Sequence, residues 1–133
     1  MGSLQPGLTG QSTLVVQEIH TARHLKSGAV DVLSTPIMIA LMEEAARNSV
    51  DPHLEPDELS VGTALEVTHR AATPIGMRVT SRAELIGIDG RKLTFRVIAE
   101  DEREVIGQGT HTRTIVSRKH FLGLVRNKAG SNR

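Results

Sequence analysis

Alternating apolar and polar residues mark out five candidate β-strands along the chain. They span residues 13–20, 59–70, 77–88, 92–100 and 105–117. The alternation is clearest in the fourth strand, where Leu93, Phe95 and Val97 stand between polar neighbours. Because successive side chains of a strand point to opposite faces, this pattern predicts a sheet with one buried face.

One segment, residues 34–50, has the period of a helix instead. Its apolar residues at i, i+3, i+4 and i+7 are Met38, Leu41, Met42 and Ala45. Ser34 or Thr35 can cap the helix, and Pro36 suits the first helical position. Apolar residues nearly surround the first turns, which predicts a helix enclosed by other elements. Residues 118–128 are expected to form a short terminal helix.

The order of these elements, a strand, a helix and then four strands, predicts an α+β domain. Its antiparallel five-stranded sheet is expected to run as a meander after the helix and to wrap around that one long central helix, which is the hot-dog fold. Asp89-Gly90 is a tight-turn signal between the third and fourth strands. A single domain is predicted for residues 11–128, with a disordered lead over 1–10 and a frayed tail over 129–133. Open sheet edges favour pairing of two copies.

Composition and charge argue against several functional classes. Sixteen Lys and Arg residues against fifteen Asp and Glu residues give a net charge of +1, which disfavours a nucleic-acid partner. The absence of cysteine excludes disulfides, thiolate catalysis and cysteine-based zinc sites. The six histidines lack ligand-like spacing, so no metal site is predicted. No apolar run approaches the ~20 residues that span a bilayer, and no signal peptide is evident, so a cytoplasmic protein without a membrane partner is expected.

Glu43 is the first residue that could perform chemistry. It lies within the predicted helix, with Ile39 and Ala40 one turn before it and Ala46 one turn after it. A carboxylate flanked in this way can be partly desolvated, which would suit a general base or a nucleophile. A surface ion pair with Arg47 at i, i+4 is the simpler alternative, and the pattern leaves both open.

Two further residues, His69 and Thr35, stand at the ends of predicted elements. His69 ends the apolar stripe of the second strand, so it is either a hydrogen-bonded core histidine, an exposed strand end or a group that faces a cleft. Thr35 can cap the helix. The free N–H groups of a helix N-terminus can also hold an anion or an oxyanion.

Arg113 shares one face of the last strand with His111. The planar guanidinium fork suits a phosphate or a carboxylate, so this arginine can contact an anionic substrate group. An ion pair with Glu84 or Glu100 across the sheet is the simpler interpretation.

Four segments closely resemble the fluoroacetyl-CoA thioesterase family of hot-dog enzymes: STPIMIALMEEAA, VGTALEVTHRAATPIGMRV, GRKLTFRV and IGQGTHTRTIV. The likeness runs from about Thr21 to Lys128. In that family a threonine at the helix start, a glutamate within the helix and a histidine at the strand end form the catalytic set. The matching residues here are Thr35, Glu43 and His69.

The resemblance also implies the surroundings of the site. The family places a glycine that matches Gly62 and an arginine that matches Arg113 around the substrate. It implies a homodimer with active sites at the subunit interface, and no metal or prosthetic group, since coenzyme A is part of the substrate. The connection before the helix contains no phenylalanine here, where the fluoroacetyl enzyme has phenylalanines over its active site.

These observations together predict an acyl-CoA thioesterase for a short-chain or small acyl group. Its substrate can resemble fluoroacetyl-CoA. A thiolate is a good leaving group, so such an enzyme needs a carboxylate or an activated water and a stabilised oxyanion. One alternative is a non-catalytic acyl-CoA binding or regulatory protein of the same fold. An enoyl-CoA hydratase is a weaker alternative, because the segment THRAATP lacks the aspartate that this chemistry usually places near its histidine.

Overall fold

A computed structural model describes residues 3–130 of the protein, so the ends of the predicted lead and tail, residues 1–2 and 131–133, lie outside the described residues. Within the described part the strands and α-helices are β1 (Thr9–Val15), α1 (Ala22–Leu25), α2 (Thr35–Val50), β2 (Glu58–His69), β3 (Arg78–Asp89), β4 (Lys92–Glu100), β5 (Val105–Ser117) and α3 (Arg118–Lys128). Short 3-10 turns at Glu18–His20 and Asp51–His53 follow β1 and α2.

The five strands form one antiparallel sheet in the order β1-β3-β4-β5-β2, and α2 packs against β1, β3 and β4. Met38 and Met42 of α2 are fully buried, as are Leu85 of β3 and Phe95 of β4. The inner faces of the sheet and the apolar face of α2 therefore share one core. This arrangement confirms the predicted α+β hot-dog fold.

The position of β2 differs from the predicted four-strand meander. Only β3, β4 and β5 follow one another as neighbours, whereas β2 pairs with β5 at one edge of the sheet. The connection from β2 to β3 contains Pro74 and Gly76, and its Val16–Gly76 and Leu33–Thr73 backbone hydrogen bonds tie it to other segments. It is therefore a crossover connection, which local turn signals do not distinguish from a hairpin.

β1 begins at Thr9, four residues before the predicted start, so the last part of the predicted lead belongs to the sheet. The chain leaves the sheet after Val15. At Gly10 the backbone of β1 packs directly against α2. A Cβ atom at this position would lie 2.4 Å from the carbonyl oxygen of Ala45, so only glycine permits this close approach to α2.

A β-bulge between Gly62 and Ala64 interrupts β2. The sequence predicts that Val61 and His69 share a face, because eight residues of regular alternation separate them. The extra residue at the bulge shifts the alternation, so that Val61 pairs with Thr114 on the outer face. His69 remains on the inner face, as predicted, but Val61 does not share it.

A buried cluster of hydrogen bonds around Asp101 joins two of the segments that connect the strands. Thr73 donates to Asp101 Oδ2 at 2.9 Å, while Oδ1 accepts from the backbone N–H groups of Arg103 at 2.8 Å and Glu104 at 3.0 Å. Burial by itself raises the pKa of Asp101, but these hydrogen bonds and the charge of Arg103 together hold that pKa below its ordinary value. The cluster ties the β2–β3 connection to the β4–β5 turn.

The terminal helix α3 follows β5 directly, and the Ser117 hydroxyl caps it by accepting from His120 N at 3.3 Å. It buries none of its residues, and Leu122, Leu124 and Val125 are exposed. None of the described helices, α3 included, is long and apolar enough to cross a membrane.

Candidate active site

The first residue of α2, Thr35, and the last residue of β2, His69, are in direct contact. Thr35 Oγ1 and His69 Nδ1 lie 2.7 Å apart. The capping role belongs to Ser34, whose hydroxyl accepts from Ile37 N at 3.3 Å. Because Ser34 caps the helix, the Thr35 hydroxyl is available for the histidine.

His69 is half-buried and is therefore neither a satisfied core histidine nor an exposed strand end. Its Nε2 atom is buried and has no hydrogen-bond partner among residues 3–130. Burial lowers the pKa of His69, although the backbone of Ala71 acts in the opposite direction. Thr35 and His69 line a cavity of about 290 Å³, together with Ala22, Ser27, Val32, Leu33, Arg70, Ala71 and Ala72.

Glu43 lies partly buried on α2. The simpler alternative for it, an ion pair with Arg47, is wrong: Arg47 pairs with Asp51 at 2.9 Å. The neighbouring Glu44 is exposed and accepts a hydrogen bond from the Ser12 hydroxyl. Within the described part of the chain, Glu43 makes no ion pair of its own.

Gly62 leaves a small space in front of Glu43. A Cβ atom at Gly62 would lie 2.7 Å from Glu43 Oε2, 3.2 Å from His111 Cε1 and 3.5 Å from Arg113 Nη1. The space opens on a cavity of about 460 Å³. The cavity is lined by Leu14, His20, Ile37, Ala40, Leu41, Glu43, Glu44, Arg47, Gly62 and Arg113.

Arg113 is 4% exposed and lies on the inner face of β5. The predicted ion pair with Glu84 or Glu100 is wrong, because these carboxylates pair with other arginines on the outer face of the sheet. Instead Arg113 Nε donates to Ser60 Oγ at 2.8 Å, and Nη2 donates to Ser60 O at 2.9 Å. Burial lowers the pKa of Arg113, and the carboxylate of Glu43 is the largest influence that raises it.

The five predicted site residues thus form two clusters in separate cavities. Thr35 and His69 form one cluster, and Glu43, Gly62 and Arg113 form the other. Thr35 and Glu43 are eight positions apart in the helix, which corresponds to about 12 Å along the axis of α2. A single chain therefore does not bring the threonine–histidine pair onto the glutamate.

Two residues near Glu43 are not apparent from the sequence pattern. Ser60, which holds Arg113, lies among the polar positions of β2 and carries no distinguishing motif. His20 lines the same cavity as Glu43, and its Nδ1 accepts from Gln17 N at 2.9 Å. Its Nε2 therefore carries the hydrogen of the neutral ring. Only the tertiary fold brings either residue to the site.

The described residues contain no group of three or more His, Cys, Asp or Glu side chains that could hold a metal ion. The chemistry available at the two clusters is thus that of a carboxylate, a hydroxyl, an imidazole and a guanidinium. This set can move protons and stabilise an oxyanion.

Comparison with known proteins points to one group of enzymes. The family described as fluoroacetyl-CoA-specific thioesterase, FlK, matches residues 16–119. A fluoroacetyl-CoA thioesterase from Streptantibioticus cattleyicolor is 43% identical over 120 residues, which cover 86% of each chain.

Solved structures agree with this family match. A structure of the fluoroacetyl-CoA thioesterase FlK superposes with a TM-score of 0.90 at 40% identity, over 96% of this chain and 98% of that one. A Thermus thermophilus hypothetical protein of the thioesterase superfamily superposes with a TM-score of 0.89 at 30% identity, over 97% and 96% of the two chains.

Proposed function

The chain belongs to the fluoroacetyl-CoA-specific thioesterase family, and we propose that it hydrolyses a small acyl-CoA thioester with Thr35, Glu43 and His69. Water adds to the acyl carbon, the carbon–sulfur bond breaks, and coenzyme A leaves as the free thiol. The relatives named above support thioester hydrolysis. The assignment of roles to individual residues is our own inference.

The observation that carries the proposal is the 2.7 Å hydrogen bond between Thr35 and His69. It fixes the imidazole through Nδ1 and leaves Nε2 unpartnered. Because its pKa is lowered by burial, His69 is neutral at neutral pH and can exchange a proton through Nε2. In the proposed reaction it takes the proton of the attacking water and gives a proton to the leaving thiolate.

Glu43 is the proposed carboxylate of the reaction. It either attacks the acyl carbon to form an anhydride or orients the attacking water. Because Gly62 has no side chain, the approach from the cavity to Oε2 stays open. Arg113, whose buried guanidinium lies beside this space, adds positive charge near Glu43 and the developing oxyanion.

A second copy of the chain would unite the two clusters. In the described part, β2 is an edge strand that pairs only with β5. If two copies of β2 pair antiparallel through their free edges, the His69 end of one strand comes to the Gly62 end of the other. We therefore propose a homodimer in which Thr35 and His69 act with Glu43 of the partner subunit.

Several expectations from the sequence stay predictions. They are a cytoplasmic location, the absence of a nucleic-acid partner, and a reaction without metal or prosthetic group. The apolar part of the cavity beside Glu43 comprises Leu14, Ile37, Ala40 and Leu41, which is consistent with a small acyl group.

A thiol-release assay on a panel of short acyl-CoA esters, with fluoroacetyl-CoA and acetyl-CoA among them, tests the function. Release of thiol supports hydrolysis. Hydration of an enoyl-CoA without thiol release would support the hydratase instead. Thermal stabilisation by acyl-CoA without turnover would support a non-catalytic binding protein.

Variants of the proposed residues test the site. We expect Glu43→Gln and His69→Ala each to lower kcat by about 10²-fold or more, as is usual for a lost acid–base group. Near-normal hydrolysis by both variants would contradict the assignment. Single turnover in ¹⁸O-labelled water tests the anhydride route, because the label enters the enzyme's carboxylate only when water opens an anhydride at the glutamyl carbonyl carbon.

A further inference from the structure

One buried group beside Glu43, the imidazole of His111, has no role in the mechanism above. His111 lies on the inner face of β5 opposite Leu65, and it is 1% exposed. Its ring centroid is 6.1 Å from that of Phe95, so the ring is packed within the core. Burial of a polar ring at this position requires that both nitrogens find partners.

The two nitrogens of His111 have partners of opposite kinds. Nδ1 lies 2.9 Å from the carbonyl oxygen of Ala64, and Nε2 lies 3.1 Å from Arg113 Nη1. A carbonyl only accepts, so Nδ1 carries the hydrogen; a guanidinium only donates, so Nε2 accepts. This arrangement exists only for the neutral imidazole in one tautomer.

His111 contacts Nη1 of Arg113, the guanidinium nitrogen that lies beside Gly62 and the proposed reacting group. Ser60 engages Nε and Nη2 of Arg113, and His111 engages Nη1. Nη1 lies 3.5 Å from the Cβ position at Gly62, the same position that is 2.7 Å from Glu43 Oε2. Ser60 and His111 together therefore hold the whole fork of the guanidinium.

We propose that His111 is a positioning residue for hydrolysis, which accepts a hydrogen bond from Arg113 Nη1 and so aims the guanidinium at Glu43 and the space beside Gly62. The inference rests on the proposed function, because it assigns Arg113 to the reacting centre. Burial, reinforced by the charge of Arg113, holds the pKa of His111 below its ordinary value, although Ala64 and Glu43 act in the opposite direction. The acceptor at Nε2 is thereby preserved at neutral pH.

Two substitutions of His111 each keep one of its two hydrogen bonds and remove the other. In His111→Asn the amide nitrogen takes the place of Nδ1 and can still donate to Ala64, but the acceptor for Arg113 is lost. In His111→Gln the amide oxygen reaches the place of Nε2 and can still accept from Arg113, but the donor to Ala64 is lost. We expect kcat to fall at least about tenfold further in the Asn variant than in the Gln variant, with KM similar in both.

Thermal unfolding of both variants checks that they fold. Equal losses of kcat in the two variants, a larger loss in the Gln variant, or no loss in either would overturn the inference. If wild-type protein releases no thiol, the proposed function fails instead, and the two failures are distinguishable.

A measurement on the wild-type protein does not depend on any variant. Long-range ¹H–¹⁵N correlation at about pH 7 reports the tautomer of each imidazole. We expect His111 to be protonated on Nδ1 alone. A hydrogen on Nε2, alone or together with Nδ1, would remove the acceptor for Arg113 and overturn the inference.

Discussion

At the scale of single residues, the site depends on adjacent side chains that divide tasks between them. Ser34 caps α2, and this leaves the Thr35 hydroxyl for His69. Arg47 pairs with Asp51, and this leaves Glu43 beside Arg113. In both pairs a neighbour satisfies the structural requirement, so the other residue is available for chemistry.

Gly62→Ala tests the space in front of Glu43. The new Cβ atom would lie 2.7 Å from Glu43 Oε2, so the carboxylate must move, whereas the backbone of Gly62 requires no positive φ. We expect kcat to fall by about 10–100-fold, with the free energy of unfolding changed by less than about 1 kcal/mol. Thiol release and urea unfolding measure the two quantities.

Gly123→Ala in α3 is the matched control, because nothing lies within 4 Å of its Cβ position. Its kcat should equal that of the wild type, with a slight gain in helix stability. Unchanged hydrolysis by Gly62→Ala would contradict the proposed place of reaction.

The lowered pKa values of His69 and His111 give the stability a definite pH dependence. Below about pH 6.5 these histidines take up protons in the unfolded chain before they do so in the folded protein. Their contribution is therefore complete above about pH 6.5 and is lost as the pH falls through the folded-state pKa values.

We expect urea unfolding to show a free energy that decreases from about pH 7 towards pH 5. The decrease should be smaller in His69→Gln, which removes one of the two groups. A free energy that stays constant or rises over this range would show that the histidines titrate normally or are stabilised in the charged form.

At the scale of the elements, the sequence predicts the bounds of a strand or helix best where residues within or next to that element determine them. The observed bounds of β4, β5 and α3 equal the predicted ones, because alternation, the Asp89-Gly90 turn and the polar break after β4 are all local. The start of β1 and the neighbour of β2 depend on contacts with distant segments. No local pattern predicts that Gly10 approaches α2 or that β2 crosses to the edge beside β5.

The same distinction applies to the candidate site. Motif resemblance points to Thr35, Glu43 and His69 as the catalytic set, and to Gly62 and Arg113 beside them. It could not indicate that they form two clusters, because the separation follows from the length of α2 and the path of β2. Ser60 was missed, since a serine in a strand has no pattern that marks it as an arginine ligand.

Asp101→Asn tests the cluster that joins the two connections. The substitution replaces an ionised acceptor of three hydrogen bonds, so we expect a loss of about 1–3 kcal/mol in the free energy of unfolding at pH 7. Because the folded-state pKa of Asp101 is lowered, its contribution is present above about pH 4 and is lost as the pH falls further.

Urea unfolding at pH 7 measures this loss, with Asp89→Asn as the control. Asp89 is the exposed last residue of β3 and pairs with Lys92 across the Gly90–Arg91 turn, and asparagine is equally suitable before this glycine. The control should change the free energy by less than about 0.5 kcal/mol. Equal effects of the two substitutions would show that the buried cluster contributes nothing particular.

At the scale of the whole molecule, the separation of the two clusters has a consequence for mixed dimers. A dimer of one Glu43→Gln subunit and one His69→Ala subunit contains one site in which both residues are intact. Random mixing should restore about a quarter of the wild-type activity, because half of the dimers are mixed and each has one working site. Coexpression of differently tagged subunits, followed by the thiol-release assay, measures this.

Mixing Glu43→Gln with Arg113→Ala is the matched control, since both residues belong to one cluster and no combination repairs a site. Failure of the first mixture to recover activity, with mixed dimers present, would show that each site lies within one chain.

The bulge at Gly62–Ala64 determines how this site can vary among related chains. A change of residue at Thr63 leaves the faces of β2 as they are, whereas the loss of one residue there would restore regular alternation. Gly62 would still lie opposite Arg113 and His69 opposite Gly107, both on the inner face, because the pairing on either side of Thr63 is already regular. The bulge therefore compensates for an odd number of residues between the two positions. Related chains that have one residue fewer between this glycine and this histidine should lack the bulge and still place both residues on the inner face.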